Sequence, residues 1–158
     1  MTHIPWAAHR DEPVPHAVER LLATVREWFG RPESNAEYIE AARSIETWTV
    51  RDAQGEVVGV LLVDRHFAHV AEVHLIVVER TLQGRGVGKA LVAALEQDAR
   101  ERGVARLEVK TLGASDSNPE YARTRQFHES VGFLPLEETE LWGEDTPCLI
   151  MVKPLAAL

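Results

Sequence analysis

Three glycines within five residues mark the stretch best suited to chemistry: Gln83-Gly84-Arg85-Gly86-Val87-Gly88-Lys89-Ala90. It follows a run of strand character and opens a run of helical period. Glycine lets a backbone approach a ligand closely and turn its N–H groups inward. A helix N-terminus adds the positive end of a dipole. Together these suit capture of a phosphate or pyrophosphate, with Arg85 and Lys89 as added charge. Two better-known phosphate loops do not fit. The Walker pattern needs glycine where Gln83 stands and Ser or Thr where Ala90 stands. The dinucleotide fingerprint needs glycine at Lys89. The competing reading is a glycine-rich turn that simply lets a strand enter a helix. His66, His69, Glu72 and His74 invite a metal, but their spacing crosses a loop into a strand and matches no standard zinc pattern. No metal is expected. Cys148, the single cysteine, excludes a disulfide scaffold and reads as an inert core residue. Trp6, Trp48 and Trp142 have ordinary packing explanations.

These candidates need elements to hold them. From His16 to Phe29, Val18, Leu21, Leu22, Val25 and Trp28 recur at helical spacing, and Gly30 and Pro32 stop the run. Ser34 or Asn35 can cap a second helix carrying Tyr38, Ile39 and Ala42. Period two then takes over: Thr47 to Arg51, Val57 to Val63 and Ala71 to Val78 read as strands, the first two joined by a turn at Asp52 to Gly55. Helical period returns with Val87, Leu91, Leu95 and Ala99, and Gly103 closes it. Ala105 to Thr111 alternates as a half-buried strand, and Asn118-Pro119 caps a helix that ends at Gly132. Phe133 to Leu136 and Cys148 to Val152 are the last strands. The order predicts one mixed α/β domain over residues 1–158, with residues 1–14, broken by Pro13 and Pro15, as an irregular lead-in.

Composition narrows the function classes. Hydrophobic residues at 45% and charged residues at 27% describe a globular chain. Lys plus Arg number 17 against 25 Asp plus Glu, a formal charge of -8. That balance argues against nucleic acid or an anionic membrane as partner and suits a cationic or amine one. No apolar run reaches the ~20 residues of a membrane span, and Met1 to Arg10 lacks a signal peptide's apolar stretch. A cytoplasmic location is expected.

Gln83-x-x-Gly86-x-Gly88, directly after the strand ending at Val78, resembles the acyl-CoA loop of the GNAT superfamily of N-acetyltransferases. Thr124 to Phe133, with its terminal Gly132-Phe133, is similar to that superfamily's late helix, and the element order agrees over most of the chain. Trp28-Phe29-Gly30 with Pro32-Glu33 resembles the opening of one bacterial subgroup. The resemblance implies a GNAT-like fold: a central mixed, mostly antiparallel, twisted sheet, splayed at the acyl-CoA site and flanked by helices. It implies acetyl-CoA as cosubstrate, its pyrophosphate held by Arg85, Gly86, Val87, Gly88 and Lys89, with Gln83 and Gly84 at the loop entrance. It implies that Ile76, Val77 and Val78 meet the pantetheine arm, Ile76 and Val78 by register through free backbone groups. Asn118 looks like the asparagine that contacts the CoA arm in this family, or is a plain helix cap.

Acetyl transfer to an amine needs a base for the amine and an acid for the departing thiolate. The resemblance points to Glu72 as base, the alternative being a strand-end carboxylate solvated or paired with Arg65. The family's usual acid is a tyrosine four residues before the Gly-Phe glycine; here that residue is His128, with Tyr121 on roughly the same helix face as substitute. The expected acceptor is a small-molecule amine, and a protein N-terminus or lysine is the alternative. The resemblance places the acceptor pocket on the first two helices and the segment before the last strand. There Glu33, Glu37, Glu40, Glu138 and Glu140 would attract a cation or simply be solvated, and Trp142 could line the pocket. A homodimer follows from family habit alone. A non-catalytic acyl-CoA-binding or sensor domain is the rival reading, kept open by His128.

Overall fold

The N-terminus departs first from the pattern. In the computed structural model, which describes residues 6–27 and 31–155, Ala8–Asp11 forms a strand, β1, inside the predicted irregular lead-in. β1 pairs antiparallel with β2 (Glu46–Arg51), Ala8 opposite Val50 and Asp11 opposite Thr47. The Asp11 carboxylate accepts from the Thr49 hydroxyl at 2.7 Å and from the Arg51 guanidinium at 3.0 Å. A four-residue strand with little apolar character of its own is made by its neighbour's ladder, which overrides local preference. Pro13 and Pro15 keep their punctuating role, since β1 ends before them and Pro15 opens the first helix.

That helix, α1 (Pro15–Thr24), closes earlier than the period to Phe29 predicts, with Val25 at its C-cap. Trp28-Phe29-Gly30 lies outside the described residues. α2 (Pro32–Ala41) begins ahead of the predicted Ser34 or Asn35 cap: Arg31 occupies the cap without a side-chain bond, and proline at the first position presets the dihedral. β3 (Val57–Phe67), β4 (Val70–Val78), α3 (Val87–Glu101), β5 (Arg106–Leu112), α4 (Pro119–Ser130), β6 (Leu134–Thr139) and β7 (Cys148–Pro154) follow. The seven strands form one mixed sheet in the order β1-β2-β3-β4-β5-β7-β6. β4 and β5 run parallel, and their ladder covers Val70–Val73 opposite Arg106–Val109, whereas β4 itself continues to Val78.

The chain divides into two compact units. One comprises Met1–Asp64 and Leu75–Asp98. Its core sets Val18, Leu21, Leu22 and Val25 against Val60 and Leu62 of β3 and Leu75 and Val77 of β4. Burying such side chains stabilises by about 1.5–3 kcal/mol each. Gly59 of β3 lies beneath the start of α3: a Cβ there would stand 2.5 Å from Val87 Cγ1 and 3.3 Å from Leu91 Cδ1. The other unit comprises Arg65–His74 and Ala99–Leu158. There β7 pairs antiparallel with both β5 and β6, and Leu107, Val109, Phe133, Cys148 and Met151 are buried. β6 is a sheet edge with Leu134 and Leu136 exposed; Pro135, lacking an N–H, and two glutamates blunt it.

Candidate active site

In the first unit, β4 ends at Val78, a single 3-10 turn spans Arg80–Leu82, and the glycine loop leads into α3. Gly84 and Gly86 hold φ of +75° and +95°, the left-handed region that disfavours side chains. The Arg85 amide donates to the Leu82 carbonyl at 3.3 Å, and the Ala90 amide to the Gly86 carbonyl at 3.0 Å. Between them, the amides of Gly86, Val87, Gly88 and Lys89 find no acceptor among the described residues. A helix start leaves such donors unpaired by geometry, and this loop gathers them at the positive end of the α3 dipole, where an anion is stabilised. Arg85 and Lys89 are both exposed. The Arg85 carbonyl faces elsewhere, accepting from the indole Nε1 of Trp6 at 3.1 Å. In β4, the side chains of Leu75 and Val77 are spent on the core, while Ile76 and Val78 are half-buried.

In the second unit, Glu72 is buried on β4 and its two oxygens are held by different partners. Oε1 lies 2.8 Å from His66 Nε2, and Oε2 accepts a short hydrogen bond from Lys110 Nζ, which also pairs with Glu108 at 3.2 Å. The β4–β5 register explains Lys110: Glu72 stands opposite Glu108, and Lys110 is two residues on, on the same face. Burial alone would raise the Glu72 carboxyl, but hydrogen bonds from Lys110 and His66 outweigh it and hold the group below its ordinary value. Lys110 mirrors this: burial would lower it, and the Glu72 hydrogen bond raises it on balance. The His66 side chain is 47% exposed, and it lines a cavity of about 390 Å³ with Arg65, Phe67, Ala68, Arg102 and Val104.

α4 carries the other predicted residues. Asn118 is its N-cap: Oδ1 accepts from the amides of Glu120 at 3.0 Å and Tyr121 at 3.3 Å. Its carbonyl oxygen is thus engaged in capping, leaving the side-chain NH₂ as the group it could offer a ligand. Tyr121 is half-buried in the first turn. His128 is 3% exposed, its ring 5.6 Å from that of Phe127 and edge-on to that of Phe133 at 5.8 Å. Burial lowers its pKa to about 4, so the ring is neutral at pH 7. The Gly-Phe ending has a structural account. Gly132, φ +100°, donates to the Glu129 carbonyl, and Phe133 donates to the His128 carbonyl at 3.0 Å. That is a Schellman close with its accompanying apolar contact, here His128 on Phe133. Of the acidic residues predicted around an acceptor, Glu40 pairs with Arg43 at 3.1 Å and Glu138 accepts from Ser115, while Glu33, Glu37 and Glu140 are exposed. Trp142 is exposed on the segment before β7, and Cys148 is a buried thiol raised by that burial.

Sequence reasoning gave Trp6 only a packing role and did not single out Gly59, His66 as a partner of Glu72, or Lys110. Lys110 follows β4–β5 pairing, and Trp6 and Gly59 follow packing onto a distant segment. None of these leaves a periodic signal.

The fold recurs in solved structures. A GNAT-family protein from Desulfovibrio desulfuricans is 20% identical and superposes with a TM-score of 0.80, over 96% of this chain and 99% of that one. An aminoglycoside 6'-N-acetyltransferase complexed with coenzyme A is 21% identical, TM-score 0.70, over 96% and 98%. The ribosomal-protein-S18-alanine N-acetyltransferase of Escherichia coli is 17% identical, TM-score 0.70, over 96% of each chain. No curated protein sequence matches. The profile of the acetyltransferase (GNAT) family matches residues 7–133. With that match spanning most of its length, this acyl-CoA N-acyltransferase belongs to the acetyltransferase (GNAT) family.

Proposed function

We propose that the protein transfers an acetyl group from acetyl-CoA to the primary amine of a small-molecule acceptor, by direct attack within a ternary complex. The observation that carries this is the glycine loop, whose four amides from Gly86 to Lys89 have no acceptor among the described residues. In this reading those amides hold the CoA pyrophosphate, Gln83 and Gly84 shape the entrance, and Ile76, Val77 and Val78 offer backbone groups to the pantetheine arm. An amide at Val78 or its neighbour polarises the thioester carbonyl. The amine nitrogen attacks the carbonyl carbon, the C–N bond forms, and the C–S bond breaks.

The amine's proton passes to the half-exposed imidazole of His66, 2.8 Å from Glu72. The Glu72 carboxylate, held below its ordinary value by the hydrogen bonds from Lys110 and His66, orients that ring and stabilises the imidazolium formed. The departing sulfur takes its proton from Tyr121 rather than His128. A ring with pKa about 4 carries no imidazolium proton at neutral pH. Asn118 offers only its NH₂ to the CoA arm. A protein amine is the alternative acceptor, since similar folds include enzymes named for either kind of substrate. The burial of His128 favours a second reading, a non-catalytic acyl-CoA-binding domain.

The test is free-thiol release from acetyl-CoA over a panel of small amines, amino acids and lysine peptides, with CoA affinity measured by calorimetry. Turnover with one acceptor class and micromolar CoA binding are expected, and both should vanish in Gly86→Asp, which sets a carboxylate against the bound phosphates. Binding without turnover on any amine selects the sensor reading. Undiminished affinity in folded Gly86→Asp overturns the cofactor assignment.

A further inference from the structure

We infer that Trp6 is a positioning residue for the phosphate loop, its indole setting the Arg85–Gly86 peptide so that the loop is arranged for a diphosphate before the ligand arrives. This rests on the reading of that loop as the acetyl-CoA site. Trp6 Nε1 donates to the Arg85 carbonyl at 3.1 Å, across 79 residues of sequence. The Arg85 carbonyl and the Gly86 amide belong to one peptide unit. No peptide bond in the described chain is cis, and in a planar trans unit the C=O and N–H point in opposite directions. Holding the carbonyl toward Trp6 therefore aims the Gly86 N–H away from it.

That amide is the first of the four without an acceptor. Left to itself, this peptide unit would swing easily, because one of the two torsions that turn it is the φ of Gly86, at +95°, and Gly84 precedes Arg85. The indole removes that freedom twice over. Its N–H fixes the carbonyl, and its Cδ1 lies 3.9 Å from where a Gly86 Cβ would stand, so the ring backs the turn. Trp6 is brought there by β1, whose first residue, Ala8, is locked opposite Val50. The ordering cost of the loop is thereby met by folding rather than by binding.

Trp6→Phe keeps the ring and removes the donor. A hydrogen bond contributes about 1 kcal/mol net, so the CoA dissociation constant should rise about fivefold by calorimetry. The melting temperature of the ligand-free protein should fall by no more than about 2–4 °C, because the same bond also orders the loop in the free fold. The weak affinity for acetyl-pantetheine, which has the arm but no pyrophosphate, should be unchanged in a competition assay. Equal CoA affinity in the two proteins, or equal weakening of CoA and acetyl-pantetheine, overturns the role of Trp6 while leaving the cofactor site intact. Wild-type protein that fails to bind CoA overturns the underlying reading instead. A second measurement needs no variant: the Trp6 indole N–H should exchange slowly with solvent and its resonance should shift on CoA addition. Free exchange in the ligand-free protein overturns the inference.

Discussion

Glu72 and His128 are both displaced below their ordinary pKa values, by opposite balances of force. For Glu72, burial pushes up and the hydrogen bonds from Lys110 and His66 push down harder. Its folded value lies below the unfolded one, so its stabilisation is fully present above about pH 4.5 and is lost as pH falls through the folded value. Glu72→Gln keeps the shape and removes the charge. Turnover should fall about 10²-fold at neutral pH and partly recover at alkaline pH as free amine becomes abundant; wild-type turnover at pH 7 would make Glu72 purely structural. For His128 only burial acts, lowering it from 6.5 to about 4. Between those values the unfolded chain binds more protons, so stability rises with pH across that window and is lost, by roughly 3 kcal/mol, as pH falls from about 6.5 to about 4. Denaturant titrations from pH 7 to 4 should show that slope in the wild type and lose it in His128→Phe. On one acceptor, His128→Phe should keep turnover within about threefold, while Tyr121→Phe should lose about 10²-fold, the usual scale of one acid. The reverse pattern would return the acid to His128.

The site depends on how helices begin and end. α3 starts where β3 comes close enough that only glycine fits: the missing Cβ of Gly59 would stand 2.5 Å from Val87 Cγ1. Val87 is β-branched and sits in the first turn of α3, so it cannot fold aside as a long side chain would. Gly59→Ala should therefore displace the helix start. The expected cost is about 1–3 kcal/mol in stability, with CoA affinity weakened as well, by calorimetry on protein confirmed folded. A stability loss with unchanged affinity would separate the helix start from the binding loop. At the other end of the chain, Gly132 serves α4. At φ +100°, with Lys153 Cε 2.9 Å from a would-be Cβ and Lys153 Nζ on the Val131 carbonyl at 2.7 Å, the position admits little but glycine. The Gly-Phe motif thus has a capping function of its own.

Across the whole molecule, net charge is -8, and among the described residues no helix is long and apolar enough to cross a membrane. A negative surface raises the local concentration of cations at low salt, an effect screened within ~8–10 Å at physiological ionic strength. If the acceptor is polycationic, kcat/KM should fall severalfold between about 0.05 and 0.5 M salt. For a monoamine it should change little. A salt-insensitive rate with a polyamine substrate would show that the exposed carboxylates Glu33, Glu37 and Glu140 do not steer it.

The sequence by itself determined what is local. Gly84 and Gly86 at positive φ, the Asn118-Pro119 cap and the Gly132 close depend on a few neighbouring residues, so they are legible in order and spacing. The alternation of strands and helices is legible for the same reason, and with it most of the mixed fold. Only the tertiary structure decided the rest. β1 exists because β2 offers a ladder, not because Ala8–Asp11 has a period. Glu72 is clamped because parallel pairing with β5 sets Glu108 opposite it and Lys110 two residues on. His128, at the position expected of an acid, is closed in beside Phe127 and Phe133 and loses its charge there. Trp6 meets Arg85 across 79 residues. Apart from the two ring contacts of His128, which are local, each of these is set by register and packing between distant segments, and such contacts have no spacing to be read along the chain.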